Sequence, residues 1–131
     1  MSKENVEIVR RSIDAYNRRD LDAVRRLNHP DIEVDWSASR GLAAHIYRGS
    51  DEVMSFYQDF LELFDVKIEP EGFIESGDLV VVPNTSRNRG RDGIETVARS
   101  ALVFEVRSDL IARMCLYQET HEAHEAAGLS D

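Results

Sequence analysis

The chain has one cysteine, Cys115, among 131 residues, so no internal disulfide can form and a Cys-rich zinc site is excluded. Positive charge is also scarce: 16 Lys and Arg against 25 Asp and Glu leave −9. An acidic chain of this size repels phosphate backbones, which sets nucleic-acid binding aside. No stretch approaches the length of a membrane span. The start, Met1-Ser2-Lys3-Glu4-Asn5, lacks the apolar run that a signal peptide carries behind its basic end. The expectation is a cytoplasmic protein with no membrane partner. The short signatures that name a chemistry are missing too: GxGxxG after a strand, GxxxxGK[ST], HExxH and GxSxG. His121 and His124 lie three apart in a polar terminal segment with no third ligand near in sequence, so neither a metal nor a cofactor is expected.

What is present fits one globular domain, 1–131, long enough to bury a core without staples. Val6, Val9, Ile13 and Tyr16 form a helical stripe that Ser2 can cap. Asp20 can cap a second short helix carrying Leu21, Val24 and Leu27. His29-Pro30-Asp31 ends helical structure. Ile32, Val34 and Trp36 alternate with polar residues as a half-buried strand, and a loop runs from Ala38 to Gly49. Ser50 then caps a helix with a broad apolar face of Val53, Phe56, Tyr57, Phe60, Leu61 and Phe64. The rest reads as strands: Val66 to Glu69, Phe73-Ile74, Leu79 to about Asn88 with Pro83 inside it, Ile94 to Val106, and Leu110 to Glu119. A short acidic helix from His121 to Ala127 closes the chain.

Helices at one end and a run of antiparallel strands at the other predict an α+β fold. A curved sheet wraps a long helix, with two further helices at the N-terminus, and leaves a cone-shaped cavity between helix and sheet. Alternation puts Arg113, Cys115, Tyr117 and Glu119 on one face of the last strand and Met114, Leu116 and Gln118 on the other. The first set is expected to look into the cone, with Arg113 enclosed and paired to Glu119. Val97, Ala101, Val103, Met114 and Leu116 would form an apolar outer face, which predicts a homodimer. Arg87, Arg89, Arg91 and Arg99 read as a solvated hairpin paired to Asp92 and Glu95.

Several segments together resemble the SnoaL-like branch of the nuclear transport factor 2-like superfamily over nearly the whole chain. Ala15 to Asp22 looks like that family's helix-turn-helix opening, and His29-Pro30-Asp31 with Ile32 to Trp36 like its first strand. Tyr47-Arg48-Gly49 leading to Val53 through Tyr57 looks like the entry to its third helix, and Ser108 to Arg113 with Tyr117 like its final hairpin. The resemblance implies the same cone-shaped α+β barrel. It also implies a range of activities, from steroid isomerase, polyketide cyclase, scytalone dehydratase and epoxide hydrolase to non-catalytic members. Carried over from the steroid isomerases, the helix-three tyrosine matches Tyr57 and the last-strand aromatic matches Tyr117. The oxyanion-hole tyrosine falls at Ser12, the catalytic base at Trp36 and the protonated aspartate at Ser100. Tryptophan cannot abstract a proton, and serine cannot supply the hydrogen bond of a neutral acid.

The resulting expectation is a protein that binds a small hydrophobic or mixed-polarity ligand, with Trp36, Tyr57, Ser100, Tyr117, Ser12 and Tyr16 around it. The reactions open to it are isomerase, cyclase, dehydratase or hydrolase chemistry without a cofactor. In that case Glu119 or His45 would be the general base and Arg113 the anion stabiliser. The alternative is a non-catalytic ligand-binding or dimeric interaction module of the same fold.

Overall fold

The computed structural model describes residues 2–41 and 43–129. Helix α1 (Ser2–Asn17) carries the expected apolar stripe. The side chain of Ser2, expected as its cap, lies outside the described residues. Asp20 caps α2 (Leu21–Leu27) by accepting the Ala23 N–H at 3.2 Å, as its position predicts. Strand β1 (Asn28–Asp35) starts earlier than the alternation suggests and carries Pro30 through an irregular register. The following loop contains a strand the sequence does not announce, β2 (Ile46–Arg48). Helix α3 (Ser50–Leu63) begins one residue off expectation. Ser50 is already helical, and the cap is Gly49 at φ +88°, a conformation that suits a residue without a side chain. The carboxylate of Glu52 accepts the Arg48 N–H beside it.

Strands β3 (Phe64–Pro70), β4 (Ile74–Ser76), β5 (Leu79–Gly90), β6 (Glu95–Arg107) and β7 (Leu110–Tyr117) follow, and then α4 (Thr120–Ala126). They build one curved, unclosed sheet in the order β2-β1-β7-β6-β5-β3, with β4 paired to β5. All pairings are antiparallel except β1 with β7, which is parallel. Pro83 sits where β5 changes partner, between its pairing to β4 over Leu79–Val81 and to β3 over Asn84–Gly90. A missing N–H costs least at such a handover.

The concave face presents Ile32, Val34, Val80, Val82, Leu102, Phe104, Met114 and Leu116 to α1 and α3, and this is the main core. Met114 and Leu116 therefore point inward, opposite to their expected place. The convex face has its own apolar patch, Val81, Ala101 and Val103, but α4 lies on it through Ala123 and Ala127. The chain thus covers most of the apolar surface from which a homodimer was expected. On that face Val97 stays exposed, at 52 %.

Two side chains fasten the α1 end to the sheet. The Asn17 amide donates to the Ile68 carbonyl at 2.8 Å and accepts the Ile68 N–H at 2.9 Å, standing in for a neighbouring strand on β3. Arg19, at φ +60°, donates to the Leu61 carbonyl at 2.9 Å and pairs with Asp65 at 3.0 Å, so it ties down the C-terminal end of α3.

Candidate functional site

Between helices and sheet lies a cavity, partly open to solvent, of about 50 Å³. Its floor comes from the sheet: Ile68 of β3, Leu102 and Phe104 of β6, Met114 of β7 and Trp36 just past β1. Its roof comes from the helices: Ser12, Ile13 and Tyr16 on α1, Val24 on α2, and Phe56, Tyr57 and Phe60 on α3. The helical residues arrive together because Ser12 and Tyr16, and likewise Phe56 and Phe60, are four apart and share a helix face.

The aromatic rings hold one another in place. Tyr16 meets Tyr57 edge-on at 5.4 Å, Trp36 tilts against Phe56 at 5.8 Å, and Tyr47 stacks on Phe56 from behind at 4.0 Å. Three hydroxyls reach this apolar space, those of Ser12, Tyr16 and Tyr57. None of them has a hydrogen-bond partner among the described residues. Burial pushes the Tyr16 and Tyr57 phenols well above the usual tyrosine range, and the proximity of Tyr16 adds to the effect at Tyr57. Both stay protonated and serve as donors. Among the described lining residues there is no carboxylate, imidazole, thiol, amine or guanidinium.

Of the residues expected at the site, Ser12, Tyr16, Trp36 and Tyr57 do line this cavity. Ser100 lies on the concave face but beyond the lining, half-buried, with its hydroxyl 3.5 Å from Oδ1 of the buried Asn84. His45 is exposed on the β1–β2 loop, its ring edge-on to Tyr47 at 4.9 Å. Arg113, Tyr117 and Glu119 are not where they were expected. With Met114 facing inward, its neighbour Arg113 must face out, and Tyr117 with it.

Arg113 pairs with Glu33 at 3.2 Å and Asp35 at 3.5 Å instead of Glu119, and its side chain is 40 % exposed. Two hydrogen bonds from Ser37, with Arg113 beside them, hold the Asp35 carboxyl below the usual carboxylate range. Tyr117 packs with the α4 patch, and burial together with Cys115 pushes its phenol up to about 12. Glu119 is the exposed cap of α4: its backbone N–H donates to Glu122 at 3.1 Å and its carboxylate receives a backbone N–H in return. Of the four hairpin arginines two form salt bridges, and to other partners than Asp92 and Glu95: Arg87 pairs with Glu69 and Arg99 with Glu71, while Arg91 donates to the Glu62 carbonyl at 3.3 Å.

The apolar part of the lining carries no site signal of its own in the sequence. Phe56 and Phe60 are four apart on α3, and Leu102 and Phe104 two apart on one strand face; ordinary core residues show the same pattern.

No curated protein matches the chain. Solved structures do, over nearly its full length. A nuclear transport factor 2-like protein of unknown function from Burkholderia pseudomallei is 26 % identical, with 95 % of this chain and 97 % of that one covered and a TM-score of 0.80. TerC co-crystallised with polyporic acid is 22 % identical, with 95 % and 98 % covered and a TM-score of 0.78. Rv0760c from Mycobacterium tuberculosis, in complex with estradiol-17β-hemisuccinate, is 14 % identical, with 91 % and 95 % covered and a TM-score of 0.81. At these identities the last two establish the fold alone. The sequence model of the SnoaL-like domain matches residues 9–114, well over half of the chain, and the protein belongs to that family.

Proposed function

We propose that this protein holds a small, largely apolar molecule bearing oxygen acceptors in the cavity between α1, α3 and the sheet. The observation that carries this reading is the set of three hydroxyls, Ser12, Tyr16 and Tyr57, left without partners in an apolar space. A hydroxyl that faces an apolar cavity with no protein acceptor is open to a ligand oxygen, and a hydrogen bond formed there gains more than one formed in water. Structures of the same fold that hold polyporic acid and estradiol-17β-hemisuccinate support the reading.

Binding is favoured over acid–base turnover. A general base must come within hydrogen-bond reach of the proton it removes. Glu119 and Arg113 lie on the far side of the sheet and His45 is exposed on its loop, so none of them is placed to act on a molecule in the cavity. A cytoplasmic location belongs to the same proposal. So does a second copy as partner at the uncovered end of the convex face around Val97, which sedimentation of the full chain at micromolar concentration would test.

Trp36 is the chain's single tryptophan and lines the cavity, so its fluorescence reports occupancy directly. Titration with 2-acetylnaphthalene, a flat ketone, is expected to change that emission saturably. Tyr57→Phe should weaken binding by about 3- to 10-fold, the worth of one neutral hydrogen bond. A saturable response with equal affinity in wild type and in both Tyr16→Phe and Tyr57→Phe would place the ligand elsewhere.

A further inference from the structure

We infer that the cavity selects by charge: it accepts a flat, uncharged molecule and turns away the same shape carrying a carboxylate. This inference rests on the reading of the cavity as a ligand site and adds what that ligand can be.

The described lining offers neutral donors only, the hydroxyls of Ser12, Tyr16 and Tyr57 and the indole N–H of Trp36. The remaining lining is hydrocarbon and thioether. A carboxylate taken into such a space keeps its desolvation cost, because no cation is present to offset it. Arg19 is the cation that acts on the Tyr16 phenol, but its guanidinium is already spent on the Leu61 and Phe64 carbonyls and on Asp65. Arg113 is held by Glu33 and Asp35 on the other side of the sheet.

The two phenols show the same preference from within. Burial resists the loss of a proton at Tyr16 and at Tyr57, so the walls disfavour negative charge at the very atoms a ligand would meet. The chain as a whole carries −9, which adds a long-range term of the same sign. Neutral donors carried by the lining residues suit a carbonyl, ether or hydroxyl oxygen, which needs one or two hydrogen bonds and carries no charge to be balanced.

The test uses three probes of one ring and nearly one shape: 2-acetylnaphthalene, 2-naphthoate and methyl 2-naphthoate, titrated at pH 7 against the full chain. Trp36 fluorescence reads occupancy and calorimetry supplies the affinities. The ketone is expected to bind at least 30-fold more tightly than the carboxylate, and the methyl ester should recover the affinity of the ketone. A carboxylate within 30-fold of the ketone, with both weakened by Tyr57→Phe, overturns charge selection and leaves the ligand site standing. If none of the three binds, both the selection and the ligand site fall.

Discussion

Consecutive residues on β6 and β7 live in different solvents. Phe104 is 3 % exposed against the helices, while the next residue, Glu105, faces out and pairs with Arg107 at 3.3 Å. Met114 closes the cavity floor, while Arg113 faces outward to Glu33 and Asp35. A strand advances only about 3.3 Å per residue, so the change from hydrocarbon to half-wet ion pairs takes a single step. On the concave face free energy comes from burial, and polar atoms are few: Asn84 bonds to the Val82 carbonyl and Ser100, while the three cavity hydroxyls have no partner among the described residues. On the convex face charges alternate across strands, with Arg48 on Glu33 and Glu33 on Arg113, and water shares the work of solvating them. The side that has room beneath it for a ligand is the one with fewer charges. The charged side is satisfied already.

The sharpest way to break this contrast is a pair of neighbouring truncations. Phe104→Ala should cost about 3–5 kcal/mol through lost burial and a residual cavity, whereas Glu105→Ala should stay within about 1 kcal/mol. Urea unfolding of both variants decides it, and equal losses would mean that the two faces are energetically alike.

Alkaline pH gives the next largest effect. All four tyrosines, Tyr16, Tyr47, Tyr57 and Tyr117, are pushed above their usual range by burial. The unfolded chain therefore releases their protons first, near pH 10, while the native chain keeps them. Stability is full below that pH and falls as pH rises beyond it, by up to about 1.4 kcal/mol per pH unit for each of Tyr16 and Tyr57. Near-ultraviolet absorbance should show phenolate appearing together with unfolding, not ahead of it. Tyr47 and Tyr117 lie outside the cavity, so free titration of three or more phenols in a still-folded chain would contradict the burial that defines it.

The smallest effect is expected at Arg113. Enclosed, its loss would have left a stranded charge. At 40 % exposure, with Glu33 and Asp35 both reachable by water, Arg113→Met should change stability by about 0–1 kcal/mol and leave 2-acetylnaphthalene binding unaltered. A loss of binding would return Arg113 to the cavity and reverse the assignment of faces.

The parts of this fold that depend on neighbours in sequence could be read from the chain. Asp20 caps because a carboxylate reaches the N–H three residues on, and the face from Val53 to Leu61 is helical because its spacing is helical. The turns at Gly77 and at Gly90 to Gly93 carry glycine at φ +60° and φ +82° where the backbone needs it. The SnoaL-like resemblance rested on segments of this kind. What could not be read depends on partners far away. Three residues, Ile46–Arg48, are too few to show a period, and β2 exists because β1 is there to pair with it. The parallel pairing of β1 with β7 joins residues about eighty positions apart.

The inward face of β7 is the instructive case. Alternation divides Leu110 to Tyr117 cleanly into two sets, and each set contains apolar side chains. Which set goes inward is settled by where α1 and α3 land, and the set with Met114 and Leu116 is the one without a guanidinium to keep hydrated. Tyr16 and Tyr57 sit on helices and Trp36 just past a strand with a single apolar face, so the local pattern places them at the lining, while Ser12 follows from the family resemblance. Arg113 and Tyr117 were misplaced because their strand has two apolar faces.

The amide of Asn17 has a consequence for the protein in concentrated solution. An exposed strand edge invites a second chain to add to it, and repeated addition leads to aggregates. On β3 the outward-pointing N–H and C=O of Ile68 are both taken up by Asn17, and Pro70, two residues on and therefore pointing the same way, has no N–H to offer. An incoming strand would find Ile68 occupied and the N–H of Pro70 missing, two of the outward positions along β3. One side chain at the end of a helix thus blocks strand addition at Ile68 on the β3 edge of the sheet.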